Sequence, residues 1–335
     1  MNLTKNGFEK LVNERYDFVK RHTLDKNVSW DRENLLSNGF RFQNDVPKQQ
    51  YVSLLNQDLK IGLGNIVGRL QGRQPLDDML SGESYIPDII LADLVRYAEL
   101  NREEGTVQMY VDSRTNEIFG TVSPQHTYIP SKIVYEQLLQ FYDAMGVKYD
   151  MSFQDNYNNT RIDVVFPEMA LEVGRNDNLN FKVVVMNGDF GNGALKYVGG
   201  FIRLICTNGM IIGEDIVSTR LVHKANDKVL LTKFLGSMVE SFAIYDAYSG
   251  RIREAAEITE DWIDSKVGLV NFLPDNFNVL VREAKEIYST VRQNNYKQNA
   301  FWIGQAVAEV ARDKGLEDRY RLEQIAGQIC LAQVH

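Results

Sequence analysis

The chain is poor in the residues that build covalent or metal-held scaffolds. It has 2 cysteines, Cys206 and Cys330, and 4 histidines among 335 residues. A small secreted disulfide framework uses more cysteines, and a structural zinc site needs four Cys or His ligands in close pairs. We therefore expect a reducing, cytoplasmic setting, no metal site and no cofactor.

Long apolar runs are also missing. No segment approaches the ~20 consecutive apolar residues that span a bilayer, and residues 1–7 lack the apolar centre of a signal peptide. The sequence thus predicts no membrane partner. Hydrophobic residues make up 44% of the chain and charged residues 24%, which is typical of a globular protein with a sizeable core.

Positive charge is in short supply, because the formal net charge is -8. This charge argues against a simple polycationic nucleic-acid binder, which needs clustered Lys and Arg for phosphate contacts. The charges are uneven, however: residues 1–75 hold 12 basic and 8 acidic side chains, and residues 76–105 hold 2 basic and 8 acidic ones. A local basic surface remains compatible with this distribution.

Period-two alternation predicts β-strands in the middle of the chain. The predicted strands are 106–112, 117–122, 148–154, 160–166, 180–187, 201–206 and 210–222. Pro130 and Ser131 begin a predicted helix that Gly146 ends. Together these elements predict one mostly antiparallel sheet with a helix against it.

Helical patterns dominate the rest of the chain. Helices are predicted at 86–100, 228–248, 252–264, 275–294 and 299–332, and a short amphipathic one near Phe8 and Val19. The predicted fold class is α+β: a central, mostly antiparallel sheet with a packed helix, followed by an all-helical C-terminal region. The predicted divisions are an N-terminal arm with helices at 1–104, a β-rich core domain at 105–225 and the helical region at 226–335.

The densest cluster of glycines, between Gly191 and Gly200, resembles a phosphate cradle. A P-loop needs a Lys and a Ser or Thr directly after its second glycine. Lys196 instead precedes Gly199, and no Ser or Thr follows it. We interpret the segment as a turn followed by a strand that needs close backbone approach. The glycines at 62–68 do not match the dinucleotide fingerprint either, and we interpret them as a loop or helix.

Cationic and aromatic residues around this motif form the candidate nucleic-acid interface. The set is Lys196, Tyr197, Arg203, Arg220, His223 and Lys224. Cations follow the phosphates of a single strand, and an aromatic ring stacks on a base. Arg203 lies in an apolar strand, so a buried, paired structural arginine is the alternative for that residue. We expect no catalytic residues in this set.

Two catalytic alternatives rank lower. Cys206 could form a nucleophilic pair with His126 or His223, although a cysteine in an apolar strand is more often a small buried hydrophobe. Asp77 and Asp78 belong to the acidic block at 77–104 and could hold the metal of a nuclease. Carboxylates at such irregular spacing more often form a solvated face.

Three segments carry a family resemblance. Residues 203–210 read Arg-Leu-Ile-Cys-Thr-Asn-Gly-Met, and this strand resembles the phage and plasmid-like proteins grouped as domain of unknown function 932. Residues 118–128 and 218–223 resemble that family's hairpin exit and its Arg/His strand. The resemblance covers roughly 105–250, and Gly209 departs from it where many relatives have Thr. A likeness to Rad52-like single-strand annealing proteins exists at the level of fold alone.

The resemblance implies a phage setting and nucleic-acid handling. The predicted function is therefore a phage-encoded, non-catalytic protein that binds or anneals single-stranded DNA in recombination or replication. We expect it to form a homo-oligomer in the cytoplasm of the host cell. The alternative is a protein-binding factor that acts on a host defence or replication component, and a metal-dependent nuclease ranks last.

Overall fold

The computed structural model describes most of the chain in segments. These are residues 2–25, 39–42, 50, 106–156, 159–174, 177–203, 208–211, 218–221, 223, 227–263 and 268–334. The predicted helix at 86–100, the acidic block with Asp77 and Asp78, and the glycines at 62–68 lie outside the described residues. So does Cys206.

The larger sheet has seven strands among the described residues, in the order β1-β6-β7-β8-β9-β10, with β11 also paired to β9. The strands are β1 (Asn2–Leu3), β6 (Asp150–Asp155), β7 (Thr160–Gly174), β8 (Asp177–Asn187), β9 (Leu195–Arg203), β10 (Asn208–Ile211) and β11 (Ser218–Leu221). All these pairings are antiparallel. One edge of β9 is divided between two partners, because Lys196 lies opposite Arg220 of β11 and Ile202 lies opposite Gly209 of β10.

A second sheet of four strands has the order β2-β4-β5-β3. Its strands are β2 (Val19–Asp25), β3 (Arg41–Phe42), β4 (Thr106–Asp112) and β5 (Glu117–Val122). The β4–β5 hairpin is antiparallel, and β3 adds to β5 in parallel. This sheet packs on Phe190, which follows β8 and is fully buried with Tyr110 and Val122.

Seven helices lie within the described segments. They are α1 (Lys5–Phe18), α2 (Ser131–Met145), α3 (Asp227–Glu257), α4 (Leu269–Asn276), α5 (Val281–Gln293), α6 (Ala300–Arg312) and α7 (Leu316–Cys330). Gly146 ends α2 in the left-handed conformation, with φ 66°, which glycine adopts without a Cβ penalty. None of the helices in these segments has the length and apolar character needed to cross a bilayer.

The two faces of the larger sheet are covered by different helices. Residues alternate along β8, as expected for a strand: Val183 and Val185 belong to the main core with α1, α2 and α3, whereas Val184 and Met186 face the other side. On that second side they pack with Tyr320 of α7. Both faces are therefore buried, and every residue of β8 except Asn178 is buried.

The predicted fold class is confirmed, but the prediction of one sheet is wrong, because the strands at 106–112 and 117–122 belong to a separate four-stranded sheet. The other errors concern element boundaries. The predicted break between helices near residue 250 is wrong, because α3 runs unbroken through Gly250. Glycine weakens a helix by only about 1 kcal/mol relative to Ala, and buried Tyr248 and Ile252 continue the apolar face on both sides. The predicted strand at 210–222 is two short strands, β10 and β11. The predicted helix at 275–294 is two helices, α4 and α5, and Pro274 lies inside α4.

The glycine pair in β9 should be sensitive to substitution. A Cβ at Gly200 would overlap the carbonyl oxygen of Met210 and lie 3.0 Å from Cα of Ile211, so backbone would have to move. We expect Gly200→Ala to lower the free energy of unfolding by about 1–3 kcal/mol, measured by urea denaturation. Gly199→Ala is the matched control, because its nearest neighbour is the side-chain end of Ile244. An equal or smaller effect at Gly200 would contradict this account.

Candidate functional site

Tyr197 is not on a surface, contrary to its predicted role. Its side chain is 0% exposed, and its hydroxyl donates to Oγ of Ser241 at 3.0 Å and lies 2.8 Å from the hydroxyl of Tyr142. Burial raises the pKa of Tyr197 well above its ordinary value. The strand alternation of β9 directs this residue into the core under α3. Its ring therefore cannot stack on a base in this structure.

Arg203 is the paired structural arginine that the sequence left open as the alternative. Its Nε and Nη2 each lie 2.8 Å from a carboxylate oxygen of Asp177. Nη1 donates to the hydroxyl of Tyr296 at 3.2 Å, and the guanidinium lies 5.0 Å from the ring centroid of Trp302. These contacts tie the end of β9 to β8 and to the C-terminal helices.

The other members of the predicted set are dispersed. Lys196 is half-buried, and its ammonium lies 4.4 Å from the ring centroid of Tyr320 on α7. His223 is 3% exposed. Arg220 pairs through its backbone with Lys196, but its side chain and all of Lys224 lie outside the description. The described side chains therefore do not form the predicted surface.

A buried histidine pair lies between the two sheets. The rings of His126 and His223 stack with centroids 5.1 Å apart and an interplanar angle of 10°. The hydroxyl of Tyr110 lies 3.0 Å from Nδ1 of His126. His223 Nδ1 donates to the carbonyl oxygen of Thr127 at 2.9 Å, so His223 carries its proton on Nδ1. The pair thereby links the loop before α2 to the segment after β11.

Both histidines are held neutral. Burial, then His223 and Arg21, lower the pKa of His126 to about 3. Burial also lowers the pKa of His223, against the raising effects of its bond to Thr127 and of Asp189. Among the described residues, neither Nε2 has a hydrogen-bond partner. The described residues also contain no cluster of three or more His, Cys, Asp or Glu that could hold a metal ion.

A buried ion cluster, the Asp189 clamp, lies beside the histidine pair. Arg15 of α1 bonds Asp155 at 2.7 and 3.1 Å and Asp189 at 3.4 Å. Asp189 also accepts from the backbone N and the hydroxyl of Ser131, which begins α2, and from Asn187 at 2.7 Å. Burial raises the pKa of Asp189, although Arg15 lowers it. The clamp joins α1, α2, β6 and the end of β8.

The glycine-rich turn after β8 is built for packing. Gly191 has φ 84°, and a Cβ there would overlap Cγ1 of Val122 in β5. A Cβ on Gly188 would overlap the backbone of Gly193. These glycines let the turn fold on itself and press against the smaller sheet, which agrees with the interpretation as a turn rather than a phosphate cradle. Asp189 and Phe190 are carried by this turn.

A second buried ion cluster, the Glu323 cluster, joins α7 to the larger sheet. Glu323 accepts from Arg161 at 2.6 Å, Lys182 at 3.3 Å and Arg319 at 3.1 Å. Asp163 pairs with Arg161 at 2.7 Å. Arg161 and Lys182 are 0% exposed. The neighbouring cations hold the pKa values of Asp163 and Glu323 below the usual range despite burial.

The Glu323 cluster explains why residue 209 is a glycine. A Cβ at this position would overlap Nζ of Lys182 and lie 3.0 Å from Oε1 of Glu323. The ammonium of Lys182 therefore occupies the space that a side chain at 209 would need.

An exposed basic strand edge was missed by the sequence argument. Lys20, Arg21 and His22 of β2 are all exposed, and β2 is an edge strand of the smaller sheet. The ring of His22 lies 6.2 Å from that of Phe40, next to exposed Arg41. The basic excess of residues 1–75 was the available signal, but it does not reveal which of those cations share a surface.

The Glu323 cluster should be costly to break. Glu323→Ala would leave Arg161 and Lys182 buried with less compensation, so we expect the free energy of unfolding to fall by about 3–5 kcal/mol. Urea denaturation measures the loss. Glu168→Ala is the matched control, because it removes an exposed carboxylate paired with Lys148 and should change stability little. Comparable losses in both variants would contradict the role of burial.

The histidine pair should make stability depend on pH. Between about pH 3 and 6.5 the unfolded chain protonates a histidine that the folded protein keeps neutral, so the free energy of unfolding falls as pH drops, by up to about 1.4 kcal/mol per unit for each group. His126→Gln should reduce this slope between pH 6.5 and 5, measured by urea denaturation. The raised pKa of Asp189 acts in the opposite direction, because it makes the free energy of unfolding rise as pH drops. This contribution is the same in the wild type and in His126→Gln. His22→Gln is the exposed control, and an unchanged slope in His126→Gln would contradict the assignment.

Comparison with known proteins identifies the family. A family model described as "Domain of unknown function (DUF932)" matches residues 118–303, more than half of the chain. The match therefore runs from β5 into α6. It begins after the start of the predicted resemblance at 105 and extends beyond its predicted end at 250. No curated protein and no solved structure matches, so the likeness to Rad52-like annealing proteins stays a prediction. The chain belongs to the family of domain of unknown function 932.

Proposed function

We propose that this protein is a non-catalytic single-stranded-DNA-binding or annealing protein that acts in the cytoplasm of a phage's host cell, in recombination or replication. The proposed binding surface is the basic edge, defined as Lys20, Arg21, His22, Phe40 and Arg41. It replaces the set around β9, whose described side chains are engaged within the protein.

The observation that carries the proposal is the exposure of three consecutive basic residues on an edge strand. Strand alternation directs Lys20 and His22 to one side of β2 and Arg21 to the other, so cations flank the edge on both sides. An extended strand repeats every ~3.3 Å per residue. This spacing allows a flexible single strand to contact several of these side chains with successive phosphates.

The smaller sheet brings its two edges together. β2 and β3 are the first and last strands of the order β2-β4-β5-β3, yet the His22 and Phe40 rings are 6.2 Å apart. Phe40 directly precedes Arg41, so this ring contact brings the start of β3 close to His22 on β2. Phe40 is half-buried, and an aromatic ring among cations is the combination that single-strand-binding proteins use.

Binding should be electrostatic and specific to the basic edge. We expect a fluorescein-labelled 20-nucleotide single strand to bind at low salt and to weaken as salt rises, because phosphate contacts release counterions. The affinity for this single strand should drop at least tenfold in the triple variant Lys20→Ala/Arg21→Ala/Arg41→Ala. The slope of log affinity against log salt should shrink by about 2, since each lost contact to a single strand contributes ~0.7. Fluorescence anisotropy measures both quantities.

The matched control replaces three exposed cations elsewhere, Arg282, Lys285 and Lys297, with Ala. Equal loss in both triple variants would show that net charge, not the basic edge, drives binding. No binding at low salt would overturn the proposal and favour the protein-partner alternative. Annealing of two complementary labelled strands, followed by energy transfer, distinguishes an annealing protein from one that only binds.

A further inference from the structure

The outer face of α3 exposes aliphatic side chains. Val229, Leu235 and Val239 are 46%, 37% and 63% exposed. The opposite face of the same helix buries Phe234 and Met238 completely against the core. Exposed aliphatic residues are unremarkable singly, but here Val229 and Val239 lie on one face of a 31-residue helix and Leu235 lies at the border of that face.

This face is shaped for close approach of another helix. Residues 229, 232, 236, 239 and 243 recur at spacings of three and four, which places them in one stripe. Gly236 lies in this stripe, and among the described residues no atom beyond its own stretch of helix backbone lies within 4 Å of where its Cβ would be. Val239, one turn further along, is the right size to enter the space above Gly236 of a facing helix.

The charges on one flank make the face complementary to itself. Lys233 and Glu240 are both exposed and lie seven residues apart, which is about two turns and the same side of the helix. In an antiparallel pair related by a two-fold axis, residues of the same flank meet. Lys233 of each copy then lies beside Glu240 of the other, with Gly236 opposite Val239. In a parallel pair in register this flank would meet the opposite flank of the partner, so Lys233 and Glu240 would not face each other.

We propose that the outer face of α3 binds a second copy of this chain, with the two α3 helices antiparallel. The contacting segment, residues 229–246, is about 27 Å long at ~1.5 Å per residue. A seam of this length buries less than the ~800 Å² per partner of a standard stable interface. The dimer is therefore weak and depends on protein concentration. It does not depend on DNA or on the basic edge.

Charge reversal tests the pairing on the protein alone. Sedimentation velocity over a concentration series should show a monomer–dimer equilibrium for the wild type. Lys233→Glu and Glu240→Lys each place like charges together twice, so each should raise the Kd about tenfold. A 1:1 mixture of the two variants should dimerise within about twofold of wild type, because the mixed dimer restores both opposite-charge contacts.

Val281→Glu on α5 is the matched control, because Val281 is 55% exposed but lies on another helix; it should leave the Kd unchanged. Circular dichroism confirms that each variant keeps its helices. The proposal is overturned if the wild type stays monomeric up to about 1 mM, the weak limit of measurable association. It is also overturned if either single reversal dimerises like wild type, or if the mixture associates no better than its components.

Discussion

The interaction between Arg15 and the carboxylates of Asp155 and Asp189 holds the N-terminal half of the fold together. Arg15 lies in α1, so the ion pair joins that helix to the end of β6 and to the turn after β8. The same turn carries Phe190 into the smaller sheet. Removing Arg15, Asp155 or Asp189 would leave an uncompensated buried charge. The turn that carries Phe190 between the two sheets would then no longer be held in place. Together with the packing of Phe190, this ion pair connects the smaller sheet, which carries the basic edge, to the larger sheet.

The sequence predicted the elements better than the contacts between them. Local signals suffice for the β4–β5 hairpin and for α2, since alternation and Gly146 act within a few residues. The Arg15–Asp189 pair spans 174 positions, and nothing near either residue indicates the other. Tyr197 shows the same limit: the sequence placed it in the glycine-rich turn before a strand at 201–206, whereas it lies within β9, on the side that α3 covers.

The glycine-rich segment illustrates how a conspicuous motif can serve packing. Its glycines remove Cβ atoms where Val122, Met210 and the backbone of the turn approach closely. Interpreting them as a turn and a close backbone contact needed only the P-loop spacing rule. Locating a binding surface needed the exposure of Lys20, Arg21 and His22, because composition reports charge over a region and not which side chains reach the solvent together.

The two buried ion clusters carry opposite formal net charge. Each contains one residue whose pKa shifts in the direction that reduces the excess charge of its cluster. The Asp189 clamp has one arginine and two carboxylates, and burial raises the pKa of Asp189. The Glu323 cluster has Arg161, Lys182 and Arg319 against Asp163 and Glu323, and burial lowers the pKa of Lys182. An isolated charge in a low-dielectric interior is costly, so proton uptake at Asp189 and proton release at Lys182 both move their clusters toward neutrality. Asp189 accepts from Ser131 and Asn187 through one oxygen, Oδ1, and Lys182 fits only because residue 209 is glycine. In both clusters the shift of the pKa thus opposes the excess charge that pairing leaves.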